Sequence, residues 1–254
     1  MTCVYVIKAL FLNLQTFKKR PGTTNDGGLF EELYVARLLL NLINNEKITK
    51  FNVWSNHPDF GSMDDAVFDV DSQDVNLKGT YAVQLKYANT GGILTKQALA
   101  AKKGDFSVMK YFEEYRQKTT TVGTFKFILV TNREFEVDDK ELVMENDNVK
   151  FNVSIKKIKK KKKQFRFEIA DTNTNALQDY ENFFKNFTLV TNYDTAEAIK
   201  EDIKQIFVSK FSCQDELISK NYIEFVRKWN QNTKSKTTLH LSFVKHVVAL
   251  LILS

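Results

Sequence analysis

Two short runs hold the residues best suited to chemistry. Asp64-Asp65-Ala66-Val67-Phe68 puts an acidic pair at the head of an apolar run, and Val83-Gln84-Leu85-Lys86-Tyr87 sets an amide and an amine inside another. Around the second, Tyr81, Val83, Leu85 and Tyr87 alternate with Ala82, Gln84 and Lys86. Residues two apart on a strand share a face, so Gln84 and Lys86 point the same way while Leu85 packs on the other side. A lysine and an amide facing inward need a partner, because unpaired buried polar groups are costly. A metal ion held by nearby carboxylates would supply one. The alternative is an ordinary amphipathic strand with Gln84 and Lys86 in solvent. Alternation groups Asp65 with Val67 and Asp69, and Asp64 with Ala66, Phe68 and Val70, so either acid can be the inward one.

The elements that must position these residues follow from periodicity. Residues 28–44 read as a helix in which Leu29, Leu33, Ala36, Leu40 and Ile43 form one apolar stripe and Val35, Leu38, Leu39 and Leu42 a second. Arg37 and Asn41 hold the narrow polar face. Glu31 falls among Val35, Leu38 and Leu42, and Glu32 beside Leu39 and Ile43, so at least one glutamate is expected to be shielded. Strands are expected over 51–54, 63–70 and 80–88, the last two joined by a hairpin connection over 71–79. Thr95 caps a helix running through Ala101, 106–117 continues helical, and 124–131 is a fourth strand. Beyond these, 149–155 and 165–169 read as paired strands flanking a lysine tract, and 180–187, 195–207 and 215–229 as helices. The apolar run 243–253 is interrupted by Lys245 and His246 and is too short to span a bilayer, so it reads as a core strand or a helix stub. The expected class is α/β (α+β). An extension over 1–24 precedes a core over 25–147 and a mainly helical region over 148–254.

These runs, together with Glu31 in Gly28-Leu29-Phe30-Glu31, resemble the PD-(D/E)XK nuclease superfamily. The likeness is to the subset with glutamine in place of the motif's glutamate, which includes Mrr-like restriction endonucleases and DNA-cutting domains fused to signalling NTPases. It covers roughly residues 25–135. Met63 stands where the motif has proline, and Gln84 removes one anionic ligand. The resemblance implies a restriction-endonuclease-like core with the order helix, three strands, helix, strand. It implies a metal-dependent DNA endonuclease that hydrolyses phosphodiester bonds, as an effector of a defence or signalling protein. Catalytic positions fall on Glu31, Asp65, Gln84 and Lys86. The implied cofactor is Mg2+ or Mn2+, held by Glu31, Asp65, Gln84 and the backbone carbonyl of Leu85, the oxygen donors magnesium prefers. Lys86 would orient the attacking water or stabilise the developing negative charge. The family pattern favours Asp65 over Asp64, and Glu32 stays an alternative to Glu31. A competing reading keeps the fold without catalysis, as a nucleic-acid-binding or assembly module. A third takes the motif as accidental. With no nucleotide-binding motif and an apolar run at the end, a shortened or stand-alone form is expected.

Composition narrows the partners. The 254 residues are 43% hydrophobic and 27% charged, with only 9 glycines and 2 prolines, which suits a substantial core and argues against long disordered linkers. The net charge of +6 arises from seven lysines between Lys156 and Lys163, interrupted only by Ile158; without them 30 basic residues face 31 acidic ones. A near-neutral fold with one basic tract is not a uniformly basic nucleic-acid binder. Lys159, Lys160, Lys161, Lys162 and Lys163, with Lys102 and Lys103 after the Gly91-Gly92 loop, are candidate phosphate contacts. A solvated loop or a nuclear-import signal are the other readings of the tract. DNA is the expected partner; RNA and a homo-oligomer stay open, and no membrane is expected. The only cysteines, Cys3 and Cys213, are two far-separated thiols that give no disulfide framework and no zinc signature, which favours a reducing compartment. The apolar segment 3–14 holds Lys8 in its middle and lacks a basic leader, against a cleaved signal peptide. The expected location is intracellular, in cytoplasm or nucleus. No Ser or Cys nucleophile arrangement is present, and His57, His240 and His246 lack clustered partners.

If the tract grips phosphates, replacing its seven lysines by serine flattens the dependence of nucleic-acid affinity on salt and leaves turnover at saturating DNA intact. Affinity measured across a salt series checks this, and an unchanged slope makes the tract a solvated segment or an address.

Overall fold

A helix apolar on nearly every side must be buried on nearly every side. In the computed structural model, which describes residues 25–135, 141–146, 149–159, 163–170, 177–231 and 238–253, Asn25–Ile43 (α1) is such a helix. Phe30, Leu33, Val35, Ala36, Leu39 and Leu40 have no exposure. Arg37, expected on the polar face, is buried too, because Asp194 and Asp202 accept from its Nη1 at 2.5 and 3.3 Å. Asn41 alone keeps that face in water. Glu32 is the shielded glutamate: 5% exposed, it accepts from Arg227 Nε at 2.9 Å and Gln231 Nε2 at 2.7 Å. The bond to Glu32 holds the Arg227 guanidinium above its ordinary pKa.

The described residues form nine strands and seven α-helices, a mixed α/β protein, and divide into two compact units. The first comprises Met1–Ser55, Phe68–Lys78 and Asp194–Ser254. Its described elements are α1, β1 (Ile48–Trp54), the part of β2 (Ala66–Ser72) from Phe68 on, α5 (Ala196–Phe211), α6 (Glu216–Gln231), β9 (Leu239–His240) and α7 (Leu241–Leu253). Strand order is β2-β1-β9, and β9 pairs antiparallel to β1 through Asn52↔His240 and Val53↔Leu239. Tyr222, fully buried on α6, donates its hydroxyl to Ala36 O at 2.9 Å and so ties α6 to α1. Of the two readings of the last apolar run, the helix is the one formed, with Val244, Val247, Val248 and Leu251 inward. No helix of the described residues is long and apolar enough to cross a membrane.

The second unit comprises Asn56–Val67 and Gly79–Tyr193. Its strand order is β5-β6-β7-β8-β4-β3, from β3 (Gly79–Lys86), β4 (Lys126–Thr131), β5 (Glu141–Asn146), β6 (Val149–Lys159), β7 (Lys163–Ile169) and β8 (Phe187–Thr191). β3, β4 and β8 are parallel, and β8, β7, β6 and β5 continue antiparallel. Helices α2 (Lys96–Ala100), α3 (Val108–Val122) and α4 (Gln178–Asn186) complete it. Thr95 caps α2 by accepting from Ala98 N, as its place in the sequence predicts. β2 starts at Ala66, not 63, because Met63 N donates to Phe60 O and belongs to the turn after the Pro58–Phe60 3-10 segment. The lysine tract is less a loop than expected. β6 runs to Lys159 and β7 starts at Lys163, with Lys156↔Arg166 and Lys157↔Phe165 paired. Lys160, Lys161 and Lys162 lie outside the described residues.

Register decides what packs on this sheet. Residues side by side in parallel strands face the same way, so Phe127 and its partner Phe187 point to one side, with rings 5.5 Å apart. There they meet Phe183 of α4 and Tyr111 of α3. Phe183, with no exposure, also touches Phe112 and Tyr115. Phe183→Ala therefore opens a cavity among rings and lowers unfolding free energy by ~3–5 kcal/mol, measured by denaturant titration.

Candidate functional site

Gln84 pairs with Leu129 and Lys86 with Thr131 across β3 and β4. That places both on the face occupied by Phe127, the face covered by α3. Gln84 is 6% exposed, so the reading of an ordinary strand with this residue in solvent does not hold. Its Nε2 donates to Asp65 Oδ2, and the same oxygen accepts the backbone N–H of Leu85 at 2.8 Å. Asp65 is buried and Asp64 only half-buried, with its carbonyl receiving Asn56 N at 2.7 Å. Of the two acids, Asp65 is the one beside Gln84. A strand residue's carbonyl leaves on the same side as its N–H, so Leu85 O also lies on the Asp65 side.

The approach to Asp65 is fixed by a turn. Gly61 sits at φ 61°, a left-handed conformation that suits glycine, and a Cβ there would meet Lys118 and Glu114 at about 3.5 Å. Next to it, Ser62 donates from both N and Oγ to Glu114 Oε2, at 3.1 and 2.6 Å. The segment entering Asp65 is thereby pinned to α3. On the other side of the site, Asn132 grips the exit of β3 with both ends of its amide: Oδ1 accepts from Ala88 N at 2.9 Å and Nδ2 donates to Ala88 O at 2.7 Å.

Lys86 Nζ stands 3.7 Å from Asp105 Oδ1, a loose pair because Asp105 is largely in water. Asp105 is in turn held through its own carbonyl, which accepts from the buried Tyr111 hydroxyl at 2.8 Å. Burial, reinforced by the carboxylates of Asp105, Asp65 and Glu114, pushes the Tyr111 phenol far above its ordinary pKa. It is a permanent donor. Asp105, Tyr111 and Asn132 were not singled out from sequence. Asn132 follows the carboxyl end of a strand parallel to the one bearing Lys86, where ligand sites form in parallel sheets, a placement that no local sequence pattern signals.

Glu31, half-buried on α1, belongs to the first unit, whereas Asp65, Gln84, Leu85 and Lys86 belong to the second. Glu32, the alternative ligand, is taken up by Arg227 and Gln231. Lys102 and Lys103 are exposed on the segment between α2 and Asp105. Of the tract, Lys159 is the last residue of β6, Lys163 the first of β7, and Lys156 forms an ion pair with Glu168. Among the described residues no three His, Cys, Asp or Glu side chains group together to hold a metal ion. The donors at hand are instead mixed, a carboxylate, an amide and a main-chain carbonyl. With the Gln84 amide turned over, all three present oxygen, the chemistry suited to Mg2+ or Mn2+. No protein-family model matches the sequence, and no curated protein is similar enough to it to count as a match.

Gln84→Glu would set two carboxylates in hydrogen-bond contact. Without metal the variant is less stable than wild type at neutral pH and recovers as acid protonates one carboxyl, because like charges raise the pKa of one member. Magnesium restores its stability at neutral pH if the cation sits there. Thermal melts across pH, with and without magnesium, check both signs.

Proposed function

We propose that this protein is a magnesium-dependent DNA endonuclease with a restriction-endonuclease-like core. The observation that carries the reading is the meeting of Asp65, Gln84 and the Leu85 main chain at one point of β3, with Lys86 next on the same face. The element order α1, β1, β2, β3, α3, β4 agrees with the order the motif calls for, with short α2 added before α3.

Asp65, Gln84 and Leu85 O, all of the second unit, would hold the cation. A bound Mg2+ supplies an acidified water and charge neutralisation at the phosphate. The chain's own residues do the rest. Asp65 fixes the strand edge and brings the site's carboxylate. Lys86, whose ion-pair partner among the described residues is the solvated Asp105, is available to orient the attacking water and to meet negative charge as it develops on the phosphate. Tyr111, through Asp105, and Asn132, through Ala88, hold the segments on either side of that ammonium.

Lys86→Ala abolishes plasmid nicking in magnesium, a loss of ~10²-fold or more, while folding and calorimetric metal binding stay near wild type. Asp65→Asn loses metal affinity as well. A Lys86→Ala protein that cuts at the wild-type rate would refute the site. A wild type that binds magnesium yet cuts neither DNA nor RNA makes the non-enzymatic nucleic-acid-binding module the better account.

A further inference from the structure

We propose that Arg133 is a phosphate anchor of this site, taking a backbone phosphodiester of a nucleic-acid duplex next to Lys86. The identity of the ligand rests on the nuclease reading above. Arg133 follows the carboxyl end of β4 two residues after Thr131, the register partner of Lys86. Its guanidinium lies over the Phe106 ring, 5.1 Å from the centroid. The neighbouring residue, Asp105, is the one 3.7 Å from Lys86 Nζ. Two cations therefore flank one stretch of backbone at the carboxyl ends of two parallel strands.

What distinguishes Arg133 is that no acid among the described residues balances it. Among the described arginines, Arg37, Arg116 and Arg227 are each matched by carboxylates, and Arg166 is exposed. Arg133 is half-buried, no carboxylate of the described residues pairs with it, and its Nε is shielded from water without a hydrogen-bond acceptor among them. A shielded guanidinium N–H without an acceptor is costly to maintain, and an incoming anion satisfies it. The flat fork of a guanidinium matches a phosphate in two-point fashion, and a ring beneath it holds the plane in one orientation. Exposed Lys102 and Lys103, which likewise pair with no carboxylate of the described residues, lie on the segment leading to Phe106. A carboxylate ligand would find the same fork, but the row of separate cations suits a chain of phosphates.

The test is fluorescence anisotropy of labelled DNA and RNA duplexes with the full chain, in calcium so that the duplex stays intact. Arg133→Gln keeps a stem to lie on Phe106, and Arg133→Lys keeps the charge without the fork; circular dichroism verifies folding of both. The expected result is a ~10-fold or greater loss of duplex affinity for Arg133→Gln and a smaller loss for Arg133→Lys. The salt slope should fall by about one, with metal affinity unchanged. Equal losses on DNA and RNA mark the shared backbone as the ligand, and a loss on one names that nucleic acid. The proposal is overturned if Arg133→Gln binds within about twofold of wild type, or if wild type binds neither duplex. Nicking in magnesium separates the two ideas. Arg133-dependent binding without nicking retires the enzyme and keeps the anchor; nicking with Arg133-independent binding does the reverse.

Discussion

A single buried oxygen, Asp65 Oδ2, organises this protein's most distinctive corner. It accepts from a side chain and from the main chain of adjacent residues on β3, so it fixes both the rotamer of Gln84 and the edge of the strand. Hydrogen bonds to an ionised acceptor are worth roughly twice those between neutral groups. The Asp65 carboxylate must keep these donors to remain shielded, and the position of Lys86 follows from the strand they fix. Glutamine at position 84 matters here. A glutamate would leave two anions in contact until something positive arrived, whereas an amide closes the gap by itself. The corner is thus assembled before any cation binds, at the cost of one ligand charge.

The sheet that supports this corner is held by rings. Phe127 and Phe187 lie in register on neighbouring parallel strands, and Phe183 reaches them from α4. α3 rests on that aromatic layer through Tyr111 and Phe112, and from the same helix Tyr111 and Glu114 fasten the segments around Lys86 and Asp65. Packing and site geometry are therefore one construction. A slip of one residue in β4 would turn Phe127 and Leu129 away from the face that carries Gln84.

Much of this was legible in the sequence, for identifiable reasons. The alternation around Gln84 gave a strand because half-buried strands alternate, and the all-round apolar helix announced its own burial through Glu32. Thr95 caps the helix it precedes, as expected, since a hydroxyl before an apolar run satisfies the first free amides. β8 escaped because Phe187–Thr191 is five residues long and starts where α4 ends, with no turn residue between them. A short strand buried in a parallel sheet has no polar alternation to betray it. Arg37 was misjudged for a different reason: its partners, Asp194 and Asp202, lie 157 and 165 residues away, and no local pattern encodes a distant ion pair. Asp105, Asn132 and Arg133 were invisible because their significance depends on which strands become neighbours.

The winding of the chain between its two units has a consequence for synthesis. α1 is among the earliest described segments, yet its buried polar groups are answered by Asp194, Asp202, Tyr222, Arg227 and Gln231. On a growing chain this greasy helix, with a glutamate and an arginine pointing into it, has none of those partners until residues past 194 emerge. The second unit, by contrast, is complete in sequence by Tyr193. The nascent protein is thus expected to fold its middle first and to shield its beginning meanwhile, with exposed apolar surface of the kind that chaperones and aggregation compete for.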